Sequence, residues 1–299
     1  MGIGNFFNPE NSFFTFMGKF VDVFVLNIIW LALHVPFLLL FFFYRQIFIL
    51  PAAEHEVSTF TYITAGGGIP FFLVFGVLLL ATFSVFVPSM IAMYYAVVKS
   101  IRRSRSYPVK EFFRSFKLNF KQGAKASVLL GIIIALLSVD FEYTSDLLMA
   151  GDSKGIMFLG VFFVITFVIA GIYIYFCAVI SRFTMTGGNA FKFSFGLSIK
   201  HFWCTFLSVL LWAAIILLIY LTRWFVAFFG IALGTLVESF MMEKVLKRYV
   251  LQTIEKQKSA EGNSGEKAED GTSAEGKPEY TESFEDGGEN SKKDEWYLE

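Results

Sequence analysis

Apolar residues gather in six stretches along the chain: residues 21–44, 69–98, 124–139, 155–180, 202–221 and 224–242. Crossing ~30 Å of hydrocarbon takes about twenty mostly apolar residues in a helix, and the six stretches approach or exceed that. An unpaired strand cannot satisfy its backbone in lipid, so these stretches predict helices despite their β-branched content. Pro36 lies inside the first and Pro88 inside the second, where it predicts a kink. The 124–139 stretch is the shortest. Only Thr222 and Arg223 separate the last two, which predicts a tight helical hairpin. The expected fold is an all-α polytopic membrane bundle of about six transmembrane helices, with amphipathic cytoplasmic helices.

The polar positions between these stretches orient the bundle. Lys99, Arg102, Arg103, Arg105, Lys110, Arg114, Lys117, Lys121 and Lys125 follow the second span. Arg182, Lys192 and Lys200 follow the fourth, and Lys244, Lys247 and Arg248 follow the sixth. The alternate loops carry few bases and several acids: Arg45, Glu54 and Glu56, then Asp140, Glu142, Asp146, Asp152 and Lys154. Basic loops stay in the cytoplasm, so all six spans agree on cytoplasmic termini. Residues 45–70, with Gly66, Gly67 and Gly68 near their end, read as an outside loop, a flexible connection with a shallow re-entrant piece as the alternative. From about Lys256 onward the chain is Glu, Gly, Ser and Lys with almost no aliphatic residue. Such a composition cannot offset the entropy of ordering, so the division expected is a membrane domain at 1–254 and a disordered acidic cytoplasmic tail at 255–299.

The segment 108–125 has a pattern of its own. Phe112, Phe116 and Phe120 recur every four residues, Phe113 and Leu118 widen the stripe, and Lys110, Arg114, Lys117 and Lys121 lie between them. That spacing predicts an amphipathic helix on the cytoplasmic membrane face. Its simpler role is an anchor whose bases reach anionic lipid. Its sharper role is a docking helix for a soluble partner. Nothing beyond charge speaks for nucleic acid. Seventy-nine residues later Phe191, Ser194, Phe195, Leu197 and Lys200 repeat the spacing of Phe112, Ser115, Phe116, Leu118 and Lys121, as an internal repeat of a kind found in transporters would.

Composition sharpens this picture in one respect. Mean hydropathy is +0.61 and charged residues make up 17%, against about a quarter in soluble proteins. The net charge of zero hides an asymmetry: residues 255–299 hold fourteen acids and six Lys, and the remainder holds nineteen Lys/Arg and eleven acids. A basic membrane body carries an acidic tail. Cys177 and Cys204, in or beside apolar spans, read as packing residues. The N-terminal residues lack the pattern of a cleaved signal peptide.

The first two spans and the segment after them also carry a resemblance. Val25-Leu26-Asn27-Ile28-Ile29-Trp30 with Pro36, then Pro88-Ser89-Met90-Ile91-Ala92-Met93-Tyr94-Tyr95, then Phe112-Phe113-Arg114-Ser115-Phe116 with Asn119-Phe120-Lys121-Gln122 resemble motifs of the YesL-like family of bacterial integral membrane proteins. The resemblance covers roughly residues 21–125. Two departures stand out: residues 45–70 look inserted, and Val87-Pro88-Ser89 stands where a Gly commonly precedes a Pro-Ala pair. The resemblance implies a protein of the bacterial cytoplasmic membrane, of unknown function, often encoded near carbohydrate uptake and degradation genes. It implies no catalytic or ligand residues.

Polar side chains inside spans are costly and so become candidates by default. Asp22 is expected to pair with Lys19 at the membrane interface, and Asn27 to make an interhelical hydrogen bond. His34 reads as a packing histidine. Glu238, between Leu236 and Phe240, is the most suggestive, as a buried or an interfacial carboxylate. Paired metal ligands, a nucleophile elbow, a phosphate loop and a zinc-protease helix are all missing from the sequence, so no enzyme activity and no cofactor is expected. The leading expectation is a non-enzymatic membrane protein accessory to carbohydrate (ABC-type) uptake, with lipid and components of the importer as partners. The alternative is a small-solute transporter or channel, which requires Asp22, Asn27, His34 and Glu238 to share one cavity.

Overall fold

A computed structural model describes residues 12–55, 57, 59–65, 68–102, 107–183, 185–222 and 225–264. Arg103, Arg105, Gly66, Gly67 and the tail beyond Ser264 lie outside these. Among the described residues the chain is all-helical, with five helical segments long and apolar enough to cross a membrane. This is consistent with a multi-pass membrane protein.

Helix α1 (Ser12–Tyr44) runs through Pro36 and continues as a π-helical turn, Arg45–Ile49, into α2 (Leu50–Glu54). After α3 (Thr59–Ala65) come α4 (Ile69–Phe83) and α5 (Phe86–Ala96), two halves of one apolar segment. A second π turn, Val97–Arg102, precedes α6 (Pro108–Met149), and α7 (Lys154–Ile180) returns beside it. The last helices are α8 (Gly187–Lys200), α9 (Phe202–Leu221) and α10 (Gly230–Ser264), with a 3-10 turn at Phe225–Phe228 before α10. The sixth expected span is thereby shared between that turn and the start of α10, and α10 runs helical past the expected boundary at residue 255.

Two sequence expectations change. The described residues of 45–70 are mostly helical rather than a flexible connection. Phe48 and Ala52 are buried, and the Phe48 ring meets Phe71, Phe72 and Phe75 at 5.8–6.1 Å. Pro51 follows the π turn, in a helical run continuous with α1. The segment 108–125 is not a separate surface helix either. It is the first part of α6, a single helix of 42 residues and about 63 Å. Pro108 and Glu111 in its first turn favour initiation there. The kink expected at Pro88 is borne out as the break between α4 and α5. Pro88 cannot donate to the Ser84 carbonyl one turn back, so the helix yields at Ser84 and Val85.

The tightest packing lies towards the end of the bundle that carries most of the basic residues. In α5 every residue from Val87 to Ala96 is buried, as are most residues from Gly171 to Ile180 in α7. In α4 none is. The outward faces there are apolar, with Leu73, Val77, Phe163 and Ile216 all more than half exposed, as hydrocarbon contact requires. Helices α5 and α6 approach so closely that a Cβ on Gly123 would lie 2.8–2.9 Å from Pro88. Replacing Gly123 by Val must push α6 off α5. It is expected to lower stability by about 1–3 kcal/mol, read as a drop in thermal midpoint in mild detergent. The same change at Gly160, where nothing lies within 4 Å, is expected to leave the midpoint in place.

Candidate functional site

The polar residues of the spans form distinct local arrangements. Asn27, fully buried on α1, donates its amide to the Ala227 carbonyl at 2.5 Å and accepts from the Ala232 N–H at 2.8 Å. Those groups belong to the 3-10 turn and to the first turn of α10, whose opening N–H groups have no intrahelical partner. Ser127 on α6 does the same for α5: its hydroxyl accepts from the Val87 N–H at 2.8 Å. Asn27 thus serves the interhelical role its position implied, towards backbone rather than side chain.

His34 is buried, with Nδ1 2.7 Å from the carbonyl of Trp30. Its ring stacks on the Trp30 indole at 4.0 Å and meets the Phe86 edge at 5.8 Å. This is a packing histidine on one side, while Nε2 and the Trp30 indole N–H are buried without a hydrogen-bond partner. Asp22 is half-buried and, contrary to the sequence expectation, forms no ion pair with Lys19. The four candidates share no hydrogen bond with one another: Asn27 bonds the start of α10, His34 its own helix, and Glu238 helix α9.

Glu238 is fully buried on α10. The Trp212 indole N–H on α9 donates to its Oε2 at 2.6 Å, while Oε1 has no partner. The Tyr94 hydroxyl of α5 lies beside the carboxyl group without hydrogen-bond geometry, and Cys177 of α7 is a further neighbour. Gly234, one turn before Glu238, lets α10 close on Ile215, where a Cβ would collide. The chemistry available is a buried acid held by one neutral donor and flanked by a phenol. Cys177 and Cys204 are both free thiols. Among the described residues no three His, Cys, Asp or Glu side chains gather as a metal site would need.

The second arrangement is on the basic end of α6. Phe112 is fully buried, packed with Val23, Leu26, Ala92, Met93, Ala96 and Val97, so it is core and not a docking residue. Phe116 and Arg114 are half-buried, and Arg114 is engaged with neighbours. Lys117, Phe120 and Lys121 are exposed, together with Lys110, Phe113, Leu118 and Lys125. At 100° per residue Lys110, Lys117, Lys121 and Lys125 fall within about 80° of arc. Phe112, Ser115 and Gly123 are buried on the opposite side. The Lys stripe therefore points straight away from the bundle, with Phe113 and Phe120 on one flank and Leu118 on the other. Lys99 braces the start of this helix: its Nζ is 3.3 Å from the Glu111 carboxylate and donates to the Tyr95 hydroxyl at 3.1 Å.

The suspected repeat is partial. Ser115 and Ser194 are both fully buried, but Leu118 is exposed where Leu197 is buried, and the second copy ends at His201 while α6 runs on. Sequence reasoning missed Trp212, Tyr94 and Ser127. A Trp deep in an apolar span needs a partner for its N–H, and a lone Glu in a facing span was the available one.

Two substitutions test these arrangements. Asn27→Ala strands a buried carbonyl and an N–H, and is expected to cost about 1–3 kcal/mol, measured as a lowered thermal midpoint with increased proteolysis between α9 and α10. Glu238→Gln keeps an acceptor for Trp212 and is expected to stay within about 1 kcal/mol of the parent. Glu238→Leu removes it and is expected to cost about 2 kcal/mol, with the Trp212 emission changed; equal stability of the two variants would show the bond to be idle.

Residues 23–141 match the model of a family described as a protein of unknown function, DUF624. No curated protein and no solved structure matches the chain. The match covers α1 through most of α6, so it takes in Asn27, His34, Tyr94 and the Lys stripe and stops short of Trp212 and Glu238.

Proposed function

We propose that this is a non-enzymatic integral protein of the bacterial plasma membrane, accessory to carbohydrate uptake, with α6 as its cytoplasmic docking element. The observation that carries the docking part is the continuity of α6 from Pro108 to Met149. One uninterrupted helix cannot cross a bilayer and also lie flat on it. The Lys stripe then stands out from the membrane, in reach of an acidic protein surface, and favours the docking role over the lipid anchor. The outward apolar flanks, Phe113, Leu118 and Phe120, would provide the buried contact that charge alone lacks. The carbohydrate part rests on the family resemblance of residues 21–125. The separate surroundings of Asp22, Asn27, His34 and Glu238 support an accessory role over a solute path.

A photoreactive amino acid in place of Leu118 tests the reading in native membranes. A subunit of a carbohydrate importer is expected in the cross-linked product, and Lys117→Glu with Lys121→Glu is expected to abolish it and slow sugar uptake at unchanged protein level. Products containing only lipid would sink the docking reading.

A further inference from the structure

The Lys stripe of α6 is exposed, and no acidic residue shares its face: Glu111 is the only acid between residues 108 and 125, and it is buried against Lys99. The chain itself carries a complement. Beyond Ser264 there are twelve Asp/Glu and four Lys. The densest stretch is 279–289, where Glu279, Glu282, Glu285, Asp286 and Glu289 alternate with Tyr280 and Phe284. We propose that residues 279–289 dock on the outward face of α6, the acids on Lys110, Lys117, Lys121 and Lys125 and the two rings against Phe113, Phe120 and Leu118.

Three observations select this occupant. The charges are opposite. Both patterns carry aromatic residues beside the charge, so the contact buries apolar surface as well as pairing ions, which matters because exposed pairs alone contribute little. Chain length permits it. Helix α10 and the start of α6 both pack against the π turn Val97–Arg102. Residues 265–278 reach about 46 Å when extended, enough to turn back along the bundle from the end of α10. A tethered segment also acts at an effective concentration in the millimolar range, so a weak contact suffices. The tail then keeps the stripe covered until a stronger acidic partner displaces it. This inference rests on reading the stripe as an acid-binding surface, and is independent of what that partner does.

The test uses the purified full chain in nanodiscs of neutral phosphatidylcholine, with a photoreactive amino acid in place of Leu118. The expected product is an intrachain cross-link mapped by mass spectrometry to residues 279–289. Lys117→Glu with Lys121→Glu is expected to reduce its yield about tenfold, since two exposed pairs are lost. Adding Glu282→Lys and Glu285→Lys to that variant is expected to restore it, which a misfolded protein could not do. A mixture of isotopically light and heavy chains separates cis from trans contact. Cross-links only to lipid, only to a second copy, or to the tail at unchanged yield after charge reversal would each overturn the proposal. The purified chain meets no importer, so failure here leaves the docking reading intact, and failure of importer capture in native membranes leaves this one intact.

Discussion

Every helix that begins inside an apolar medium exposes backbone N–H groups that no water can reach. The architecture depends on how two such beginnings are answered. Helix α5 starts at Phe86 after the Pro88 break, and α10 starts at Gly230 after a 3-10 turn. In each case a neighbouring helix supplies the missing acceptor: Ser127 of α6 to Val87, and Asn27 of α1 to Ala232. An unpaired buried N–H costs about 1–3 kcal/mol, so these bonds tie α1 to α10 and α6 to α5 at fixed heights. The close approach at Gly123 follows from the second bond. The burial of Phe112 among α1 and α5 side chains follows from both.

The apolar runs and their basic flanks made the membrane class and most helix positions legible, because hydrophobic length and backbone satisfaction admit few alternatives. The places where the reading failed share a cause. The helices at 45–70 are fixed by Phe48 against Phe71, Phe72 and Phe75, contacts that no local pattern announces. The 112–116–120 stripe was correctly seen as amphipathic but assigned to a membrane face, when its buried partner is the core around Val23 and Ala92. Lys and Phe spacing gives the periodicity of a helix; it does not say which neighbour takes the apolar side. Asn27 was read as an interhelical bond and is one, because an amide at that depth has few other options. Trp212 and Glu238, twenty-six residues apart, meet only through the α9–α10 hairpin.

The two candidate regions differ in what holds them. Glu238 is enclosed by α5, α7, α9 and α10, and its surroundings are set by packing. The Lys stripe is held by a single helix, whose start is braced by Lys99 and Glu111. The first can change only if the bundle moves. The second is open to its surroundings with the bundle at rest.

The continuity of α6 makes the Lys stripe one arm of a longer rod. A helix of 42 residues with no internal proline is a stiff rod, and one of its close approaches is Gly123 against Pro88. That contact is a fulcrum with Lys110 about 20 Å to one side. The Phe141 contact with Phe162 of α7 lies on the other arm, about 27 Å away. A tilt of about 10° would sweep Lys110 through about 3.5 Å, roughly the rise of two residues along a helix. Such a sweep would draw Phe112 out of its packing against α1 and α5 and part Glu111 from Lys99, so the rod is pinned at its basic end and the Lys stripe is presented at a fixed height.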